Sequence, residues 1–252
     1  MLRFYFLLII YCLLVTCSLL FANEIFQLII LLSGSTIIYL AVIIWGVSNI
    51  RSQMFVRSSN SNPKIKDKVA ITYDDGPHEE NTPKLLEILK KNNAKASFFI
   101  IGENIVKYKK IAENIFFDGH LIGNHSYYHS NTFPIKLPNK IKQELVKTQN
   151  EIKKLTQHEN YYFRPPYGVT NPFVAMALSK LKLKVIGWNI RSFDTSDKNK
   201  ELILKRITKK LKGGDIILLH DRTKHICWLT EEILKYLKEN KLKAVTIEEL
   251  LF

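Results

Sequence analysis

The first fifty residues differ in pattern from the rest of the chain. No charged residue occurs over 4–22 or over 25–47, and only Asn23 and Glu24 separate the two apolar runs. Each run has about the 20 residues that a helix needs to cross the hydrocarbon core of a bilayer. The pattern therefore predicts two transmembrane helices, which together form a membrane anchor over residues 1–51.

The rest of the chain alternates between short apolar runs and amphipathic stretches. Residues 52–67 are rich in serine and asparagine and predict a polar linker. The runs with the length and composition of β-strands are 69–73, 96–101, 121–124, 161–164, 185–190, 215–220 and 244–247. Helices are predicted between them, one from Thr82-Pro83, one over 141–155 and one that ends at Gly213-Gly214. Strands that alternate with helices predict a parallel α/β fold over residues 68–252, either a barrel or a doubly wound sheet.

The position of the polar residues favours the barrel. Residues able to do chemistry lie at or just past the ends of different predicted strands: Asp74, Asp75, His125, Arg164, Asp194 and His220. A (β/α) barrel builds its site from such strand ends. No Gly-x-Gly-x-x-Gly loop follows the first strand, as a dinucleotide-binding sheet would require. We expect a distorted (β/α)7-type barrel, preceded by two transmembrane helices.

The net charge of +14 belongs entirely to the part of the chain that follows the apolar runs, since Arg3 and Glu24 cancel. The lysines are spread along predicted helices and are not grouped with aromatic residues, which indicates solvated helix faces and argues against nucleic-acid binding. Attraction to an anionic glycan or lipid headgroup remains an alternative. Two of the three cysteines lie in the first apolar run, so no disulfide is expected within the domain.

Four residues have the chemistry of a metal site. Asp74-Asp75 is compatible with a simple turn, but two adjacent carboxylates repel one another and a bound cation usually relieves that repulsion. His125 and His129 are four residues apart, a spacing that can place both rings on one side. Histidine pairs with this spacing often face solvent and bind no metal. With an acidic ligand from another strand, however, they would hold zinc with an open position for water.

Arg164 and His220 each allow two interpretations. Arg164 precedes two prolines and could belong to a rigid connector, or it could orient a carboxylate that acts as a general base. His220 ends the most apolar predicted strand and could be a core histidine or a proton donor.

Taken together, these segments resemble the polysaccharide deacetylase family, also called the NodB homology domain or carbohydrate esterase family 4. The resemblance covers about residues 68–252. The matching segments are Thr-Tyr-Asp-Asp-Gly-Pro (72–77), His-Ser-x-x-His (125–129), Arg-Pro-Pro-Tyr-Gly (164–168) and Leu-Leu-His-Asp (218–221).

The resemblance implies a role for each matching residue. Asp74 would be the base and Arg164 the residue that orients it, while the Tyr167 backbone N–H would help to polarise the scissile carbonyl. His220 would be the general acid, with Leu218 of the same motif in support. The implied ligands of Zn²⁺, or of another divalent metal such as Co²⁺, are Asp75, His125 and His129. The implied reaction is removal of N-acetyl groups from amino sugars of the N-acetylglucosamine type in a cell-wall or extracellular polysaccharide, with release of acetate.

One block departs from the family pattern. Many members carry an Asp three residues after a Trp and a second Trp four residues further on. Here Trp188 is followed at those positions by Arg191 and Thr195. The family Asp tunes the acid histidine, so either Asp194 takes over that role or His220 is tuned differently. We expect Asp194 to take it over.

Two other functions remain open. The first is a deacylase or deformylase of a lipid-linked sugar at the membrane. The second is a non-catalytic, membrane-tethered glycan-binding protein, which is disfavoured because no key group is missing.

The sidedness of the anchor depends on two conflicting arguments. Arg3, Arg51 and Arg57 flank the helical hairpin and favour a cytoplasmic domain, whereas a glycan substrate is usually met outside the cytoplasm. We expect the catalytic domain on the outer side of the cell membrane. The linker would span at most about 50–55 Å when extended.

Overall fold

The computed structural model describes residues 1–252. Its helices are α1 (Leu2–Phe21), α2 (Ile25–Ser48), α3 (Asn81–Lys91), α4 (Gly102–Lys107), α5 (Lys109–Phe117), α6 (Pro138–Thr156), α7 (Pro172–Leu178), α8 (Lys200–Thr208), α9 (Ile226–Glu239) and α10 (Ile247–Leu251). Its strands are β1 (Ser58–Ser59), β2 (Lys68–Asp74), β3 (Ser97–Ile100), β4 (Leu121–Asn124), β5 (Tyr162–Phe163), β6 (Lys184–Ile186), β7 (Ile190–Arg191), β8 (Ile216–His220) and β9 (Lys243–Val245). Short 3₁₀ turns occur at Ile50–Ser52, Phe133–Ile135 and Pro166–Gly168.

All nine strands form one parallel sheet. Eight of them follow the order β1-β6-β5-β4-β3-β2-β8-β7, and β9 pairs with β2 outside this order. Two strands share one edge of β2: β9 pairs with its first half and β3 with its second half. The outer strands β1 and β7 do not pair with one another, so the curled sheet stays open. The predicted distorted α/β barrel is confirmed as this half-barrel.

Alternation along the strands separates the core from the site. In β2, the side chains of Val69, Ile71 and Tyr73 pack against the outer helices α3, α5, α8 and α9, whereas Ala70 faces the other way. Successive side chains of a strand point to opposite faces. The same rule puts Ile217 and Leu219 of β8 in the outer core and Leu218 on the inner side. Asp74 and His220, which end β2 and β8, are therefore directed to the inner side of the half-barrel.

Two element boundaries differ from the sequence prediction. The predicted strand 185–190 is interrupted by residues 187–189 and forms the two strands β6 and β7. The helix predicted to end at Gly213-Gly214 ends instead at Thr208. Gly214 serves a turn, since its φ of +88° favours glycine and a Cβ there would collide with the Asn62 carbonyl.

The predicted linker is folded onto the domain. Ser58–Ser59 forms strand β1 and pairs with Val185–Ile186 of β6. The Asn62 N–H donates a 2.8 Å hydrogen bond to the Gly214 carbonyl. Neither contact could be read from local composition, because both partners lie far away in the chain.

The two apolar runs form the helices α1 and α2, which are long and apolar enough to cross a membrane. They pack side by side as a hairpin. The rings of Tyr11 and Tyr39 stack with centroids 4.4 Å apart, and the Tyr11 hydroxyl lies 3.0 Å from Thr36 Oγ1. Most other side chains on these helices are exposed, as expected for surfaces that are not covered by protein.

Candidate active site

Arg164 is fully buried and fixes the carboxylate of Asp74. Its Nη1 donates to Asp74 Oδ1 and to Thr72 Oγ1, both at 2.7 Å. Its Nε and Nη2 donate to the carbonyls of Ile186 and Gly187. Burial lowers the pKa of Arg164 and the charge of Asp74 opposes that shift. A buried charge is tolerated only when it is paired and hydrogen-bonded, and this network meets both conditions while it leaves Asp74 Oδ2 free.

Three possible metal ligands meet beside Asp74. Asp75 Oδ1 lies 3.5 Å from His125 Nε2 and 3.4 Å from His129 Nε2. The three ligand atoms all lie within 4.8 Å of one another. One carboxylate and two imidazoles are a usual donor set for a zinc site with an open position, so these residues fit a divalent metal ion.

The surroundings of the two histidines keep their Nε2 atoms available. His125 Nδ1 forms a 2.8 Å hydrogen bond with the Arg164 carbonyl, which can only accept. The Nδ1 atom must therefore carry the proton, and Nε2 is left as the ligand atom. Burial, and then the charge of His125, lower the pKa of His129 to about 4, so its ring is neutral at neutral pH.

Loops with left-handed backbone present these side chains. Asp75, Ser126, His129 and Tyr167 all have φ between +48° and +77°. Non-glycine residues rarely adopt such angles, and they do so most often at functional sites. Asn124 supports the histidine loop, because its Oδ1 accepts a 2.9 Å hydrogen bond from the Ser126 N–H. Nothing in the sequence around Asn124 indicated this supporting role.

His220 is held by Asp194. The Nδ1 atom of His220 lies 2.9 Å from Asp194 Oδ1, and its backbone N–H donates to Asp194 Oδ2 at 2.8 Å. The Ser192 hydroxyl donates to Asp194 Oδ1 at 2.7 Å. Burial alone would lower the pKa of His220, but the hydrogen bond and charge of Asp194 outweigh it and raise that pKa. The structure thus places Asp194 in direct contact with His220.

The side chains converge on one cavity of about 240 Å³. Among the predicted site residues, those that line it are Asp74, Asp75, His125, His129, Tyr167, Leu218 and His220. Arg164 and Asp194 lie behind this wall and reach it through Asp74 and His220. The Tyr167 ring lies 4.7 Å from the His129 ring, and its hydroxyl donates to Asn131 Oδ1.

The structure adds Arg222 to the cavity. Its Nε donates a 2.7 Å hydrogen bond to Asp75 Oδ2, although 57 % of its side chain is exposed. This contact leaves Asp75 Oδ1 to face the two histidines. Arg222 directly follows the Leu-Leu-His-Asp segment, but nothing in that segment indicated where its side chain would turn.

Asp221 is a further buried residue near the cavity, and its place in the Leu-Leu-His-Asp segment did not indicate a role for it. Its Oδ2 accepts a 2.6 Å hydrogen bond from the Thr82 hydroxyl, and its Oδ1 has no partner. Burial raises its pKa to about 7. A Cβ at Gly76 would collide with this carboxyl, so Gly76 is required beside the site for space.

Comparison with known proteins gives the family of the chain. The family model described as "Polysaccharide deacetylase" matches residues 61–186, which is half of the chain. The chain belongs to the polysaccharide deacetylase family. A peptidoglycan-N-acetylglucosamine deacetylase of Bacillus cereus is 33 % identical over 200 residues, which cover 76 % of this chain and 90 % of that relative.

Solved structures show the same fold. The peptidoglycan deacetylase PdaC from Bacillus subtilis superposes with a TM-score of 0.69 at 29 % identity, covering 73 % of this chain and 90 % of that one. A pseudoenzyme of carbohydrate esterase family 4 from Bacillus anthracis superposes with a TM-score of 0.72 at 28 % identity, covering 78 % and 69 %. Several curated relatives are longer proteins. The chain spans between 38 % and 58 % of their length.

Proposed function

We propose that the chain is a metal-dependent deacetylase that removes N-acetyl groups from amino sugars of the N-acetylglucosamine type in a cell-wall or extracellular polysaccharide. One observation carries this proposal. Two candidate proton-transfer residues, each held by its own buried partner, share a single cavity with three metal-ligand atoms. The relatives named as peptidoglycan deacetylases support the class of substrate. One relative is described as a pseudoenzyme, so membership of the family does not by itself indicate activity. The proposal therefore depends mainly on the residues of the cavity.

Asp75, His125 and His129 would hold the metal ion, for which Zn²⁺ and Co²⁺ are the candidates. Such an ion, when bound, polarises a carbonyl oxygen and makes a water molecule more acidic. The fit rests on the donor set of one carboxylate and two imidazole nitrogens.

Asp74 and His220 would move the protons of the reaction. Asp74 accepts a proton from the attacking water through its free Oδ2, while Arg164 keeps Oδ1 in place. As the water oxygen bonds to the carbonyl carbon, the Tyr167 backbone N–H stabilises the charge that grows on the carbonyl oxygen. His220 then donates a proton from Nε2 to the leaving nitrogen, since its Nδ1 is engaged by Asp194. The C–N bond breaks, and acetate and a free amino sugar are released.

Leu218 and Trp188 give the cavity an apolar wall. Both side chains line it and are largely buried. An acetyl methyl group has no polar atom and would be stabilised by contact with such a wall. We assign Leu218 this supporting role.

We further propose that α1 and α2 anchor the chain in the cell membrane, with the catalytic domain on the outer side. The two helices have the required length and hydropathy, and a wall polysaccharide lies outside the cytoplasm. An amide on a lipid-linked sugar is a second candidate substrate. It is favoured by one contact, the 3.2 Å hydrogen bond from the Thr170 N–H to the Val47 carbonyl, which brings the loop beside the cavity to the end of α2.

A comparison of cells distinguishes these substrates. Cells would produce either the native chain or its Asp74→Asn variant, and wall glycans and lipid-linked sugars would be analysed by mass spectrometry. We expect free amino sugars in the wall fraction of native cells only. Free amines confined to the lipid-linked fraction would support the second substrate. An identical acetylation pattern in both strains would contradict deacetylation and favour a glycan-binding protein.

A further inference from the structure

The catalytic domain and the segment before it are hydrogen-bonded to the end of α2. The Thr170 N–H donates to the Val47 carbonyl, and the Ser52 hydroxyl donates to the Gly46 carbonyl at 2.9 Å. Gly46 itself lies so close to Met54 that a Cβ there would collide with it. The domain is therefore fixed against the last turn of α2 and does not hang on a free tether.

The start of α1 makes a second junction with the same segment. The N-terminal amino group donates to the Phe55 carbonyl at 3.1 Å, and Arg3 Nη1 donates to the Ser52 carbonyl at 2.6 Å. The rings of Phe4 and Phe55 lie 5.3 Å apart. Both helices of the proposed anchor thus hold the domain at the same end.

Apolar side chains are exposed next to this junction. Phe173 and Met176 on α7 are 41 % and 49 % exposed, and Ile135 and Leu137 before α6 are 71 % and 67 % exposed. The Asn171 side chain donates to the Pro134 carbonyl at 2.6 Å and holds the two segments together. Four large apolar side chains are thus exposed on two segments that contact one another.

A groove continues this side towards α1. It has a volume of about 760 Å³ and includes the apolar residues Met1, Phe55, Val56, Met176, Leu178 and Leu183. Met176 belongs both to the groove and to the exposed side of α7. The apolar region therefore reaches from the domain to the first residue of the proposed anchor.

The geometry places this region at the edge of the bilayer. A helix of 24 residues such as α2 is about 36 Å long, whereas the hydrocarbon core is about 30 Å thick. The last turn, with Val47, then lies at the interface, and Thr170 lies beside it. Phe173 is three residues further on and so at most about 11 Å away, within reach of the headgroup layer.

We propose that Ile135, Leu137, Phe173 and Met176 form a membrane-contact surface that inserts into the interfacial layer of the bilayer crossed by α1 and α2. This inference rests on the anchoring proposed above. Apolar side chains flanked by lysines are typical of protein surfaces that lie in this layer. Here the exposed Lys180 and Lys182 follow α7 and suit anionic headgroups.

The membrane-contact surface would also limit the reach of the active site. Tyr167 and Gly168 line the cavity and lie only two or three residues before Thr170. If both the anchor helices and the membrane-contact surface hold the domain against the bilayer, the cavity stays near the membrane. Its substrate would then be the membrane-proximal part of a glycan.

Lipid quenching of a fluorophore tests this surface in the full-length protein. Variants carrying one cysteine, from Ile135→Cys, Phe173→Cys or Phe117→Cys in a Cys12→Ser, Cys17→Ser, Cys227→Ala background, would be labelled and reconstituted into vesicles containing anionic and spin-labelled lipids. Phe117 is a matched control, since it is apolar and 75 % exposed but lies on α5, which packs against α3, α4 and α6. A chain that keeps only Cys17 reports on the anchor itself.

We expect strong fluorescence loss for labels at 17, 135 and 173 and little loss for the label at 117. If the label at 17 is quenched while those at 135 and 173 behave like the one at 117, the membrane-contact surface is wrong and the anchor stands. An unquenched label at 17 would overturn the anchoring and the surface that rests on it.

Discussion

Asp74 and His220 are register partners at the carboxyl ends of the adjacent parallel strands β2 and β8. Neighbouring strands lie about 4.7–4.9 Å apart, so both side chains enter the cavity from adjacent positions. Each has its own buried partner, Arg164 for Asp74 and Asp194 for His220. This pairing explains how two segments far apart in the chain can supply the proposed base and the proposed acid for one amide bond.

The two adjacent aspartates should separate into different roles. We expect Asp74→Asn to lower turnover by roughly 10²–10⁴-fold with the metal retained, because only proton transfer is lost. Asp75→Asn should lose the metal, since its Oδ1 is a ligand candidate. Acetate release and elemental analysis of both variants check this. If Asp74→Asn stripped the metal and Asp75→Asn did not, the two roles would have to be exchanged.

The two arginines near the aspartates should differ in their effect on stability. Arg164→Met should lower the free energy of unfolding by about 3–5 kcal/mol, because it leaves Asp74 buried without its cation. Arg222→Met is the matched control, since its pair with Asp75 is largely exposed and should contribute roughly 1 kcal/mol or less. Chemical unfolding of both variants measures the difference. Equal losses would contradict the structural role assigned to Arg164.

The ends of the strands were the most predictable part of this molecule. Asp74 and His220 end apolar runs, and strict alternation along a strand fixes the face on which such residues lie. Asp194 was expected to support His220, and it makes the two contacts that this role requires. Its role remains a prediction until it is measured.

Contacts between distant segments were not predictable in the same way. Strand β1 was hidden in a serine-rich segment because its hydrogen bonds depend on β6, more than a hundred residues later. The contact between Arg222 and Asp75 depends on how the loop after β8 turns. The left-handed backbone of Tyr167 likewise follows from packing around the site and not from residue type.

The pair of His220 and Asp194 predicts a change in pH dependence. Asp194 raises the pKa of His220, and the acid role needs the protonated ring, so activity should fall as pH rises through that raised pKa. Asp194→Asn should move this basic limb of the pH–rate profile to lower pH. Asp197→Asn is a suitable control, because neither Asp197 nor its partner Arg206 lines the cavity. An unchanged limb in Asp194→Asn would make Asp194 a purely structural residue.

The same pair links stability to pH. The pKa of His220 is raised in the folded protein. The stabilisation that the protonated ring gains from Asp194 is therefore fully present below the unfolded pKa of about 6.5. The contribution is lost as pH rises through the raised folded value. Thermal unfolding of the native chain and Asp194→Asn should therefore differ most at acidic pH. A difference that grew with rising pH would contradict the assignment.

The proposed outer location of the domain predicts its exposure to protease. Protease added to intact cells or spheroplasts should degrade residues 68–252 of a full-length, membrane-bound chain. Detection of the C-terminal part by immunoblot provides the measurement, with a cytoplasmic protein as the control for lysis. Complete protection until the membrane is permeabilised would place the domain in the cytoplasm and favour the lipid-linked substrate.

Acetate release from an N-acetylated glycan tests the central claim most directly. The purified full-length chain would be incubated with peptidoglycan glycan strands, and acetate and free amine would be measured together. We predict that the two products appear in equal amounts, that a chelator abolishes both, and that Zn²⁺ or Co²⁺ restores both in the native chain but not in Asp75→Asn. Binding of the glycan without acetate release by the metal-loaded native chain would contradict the account.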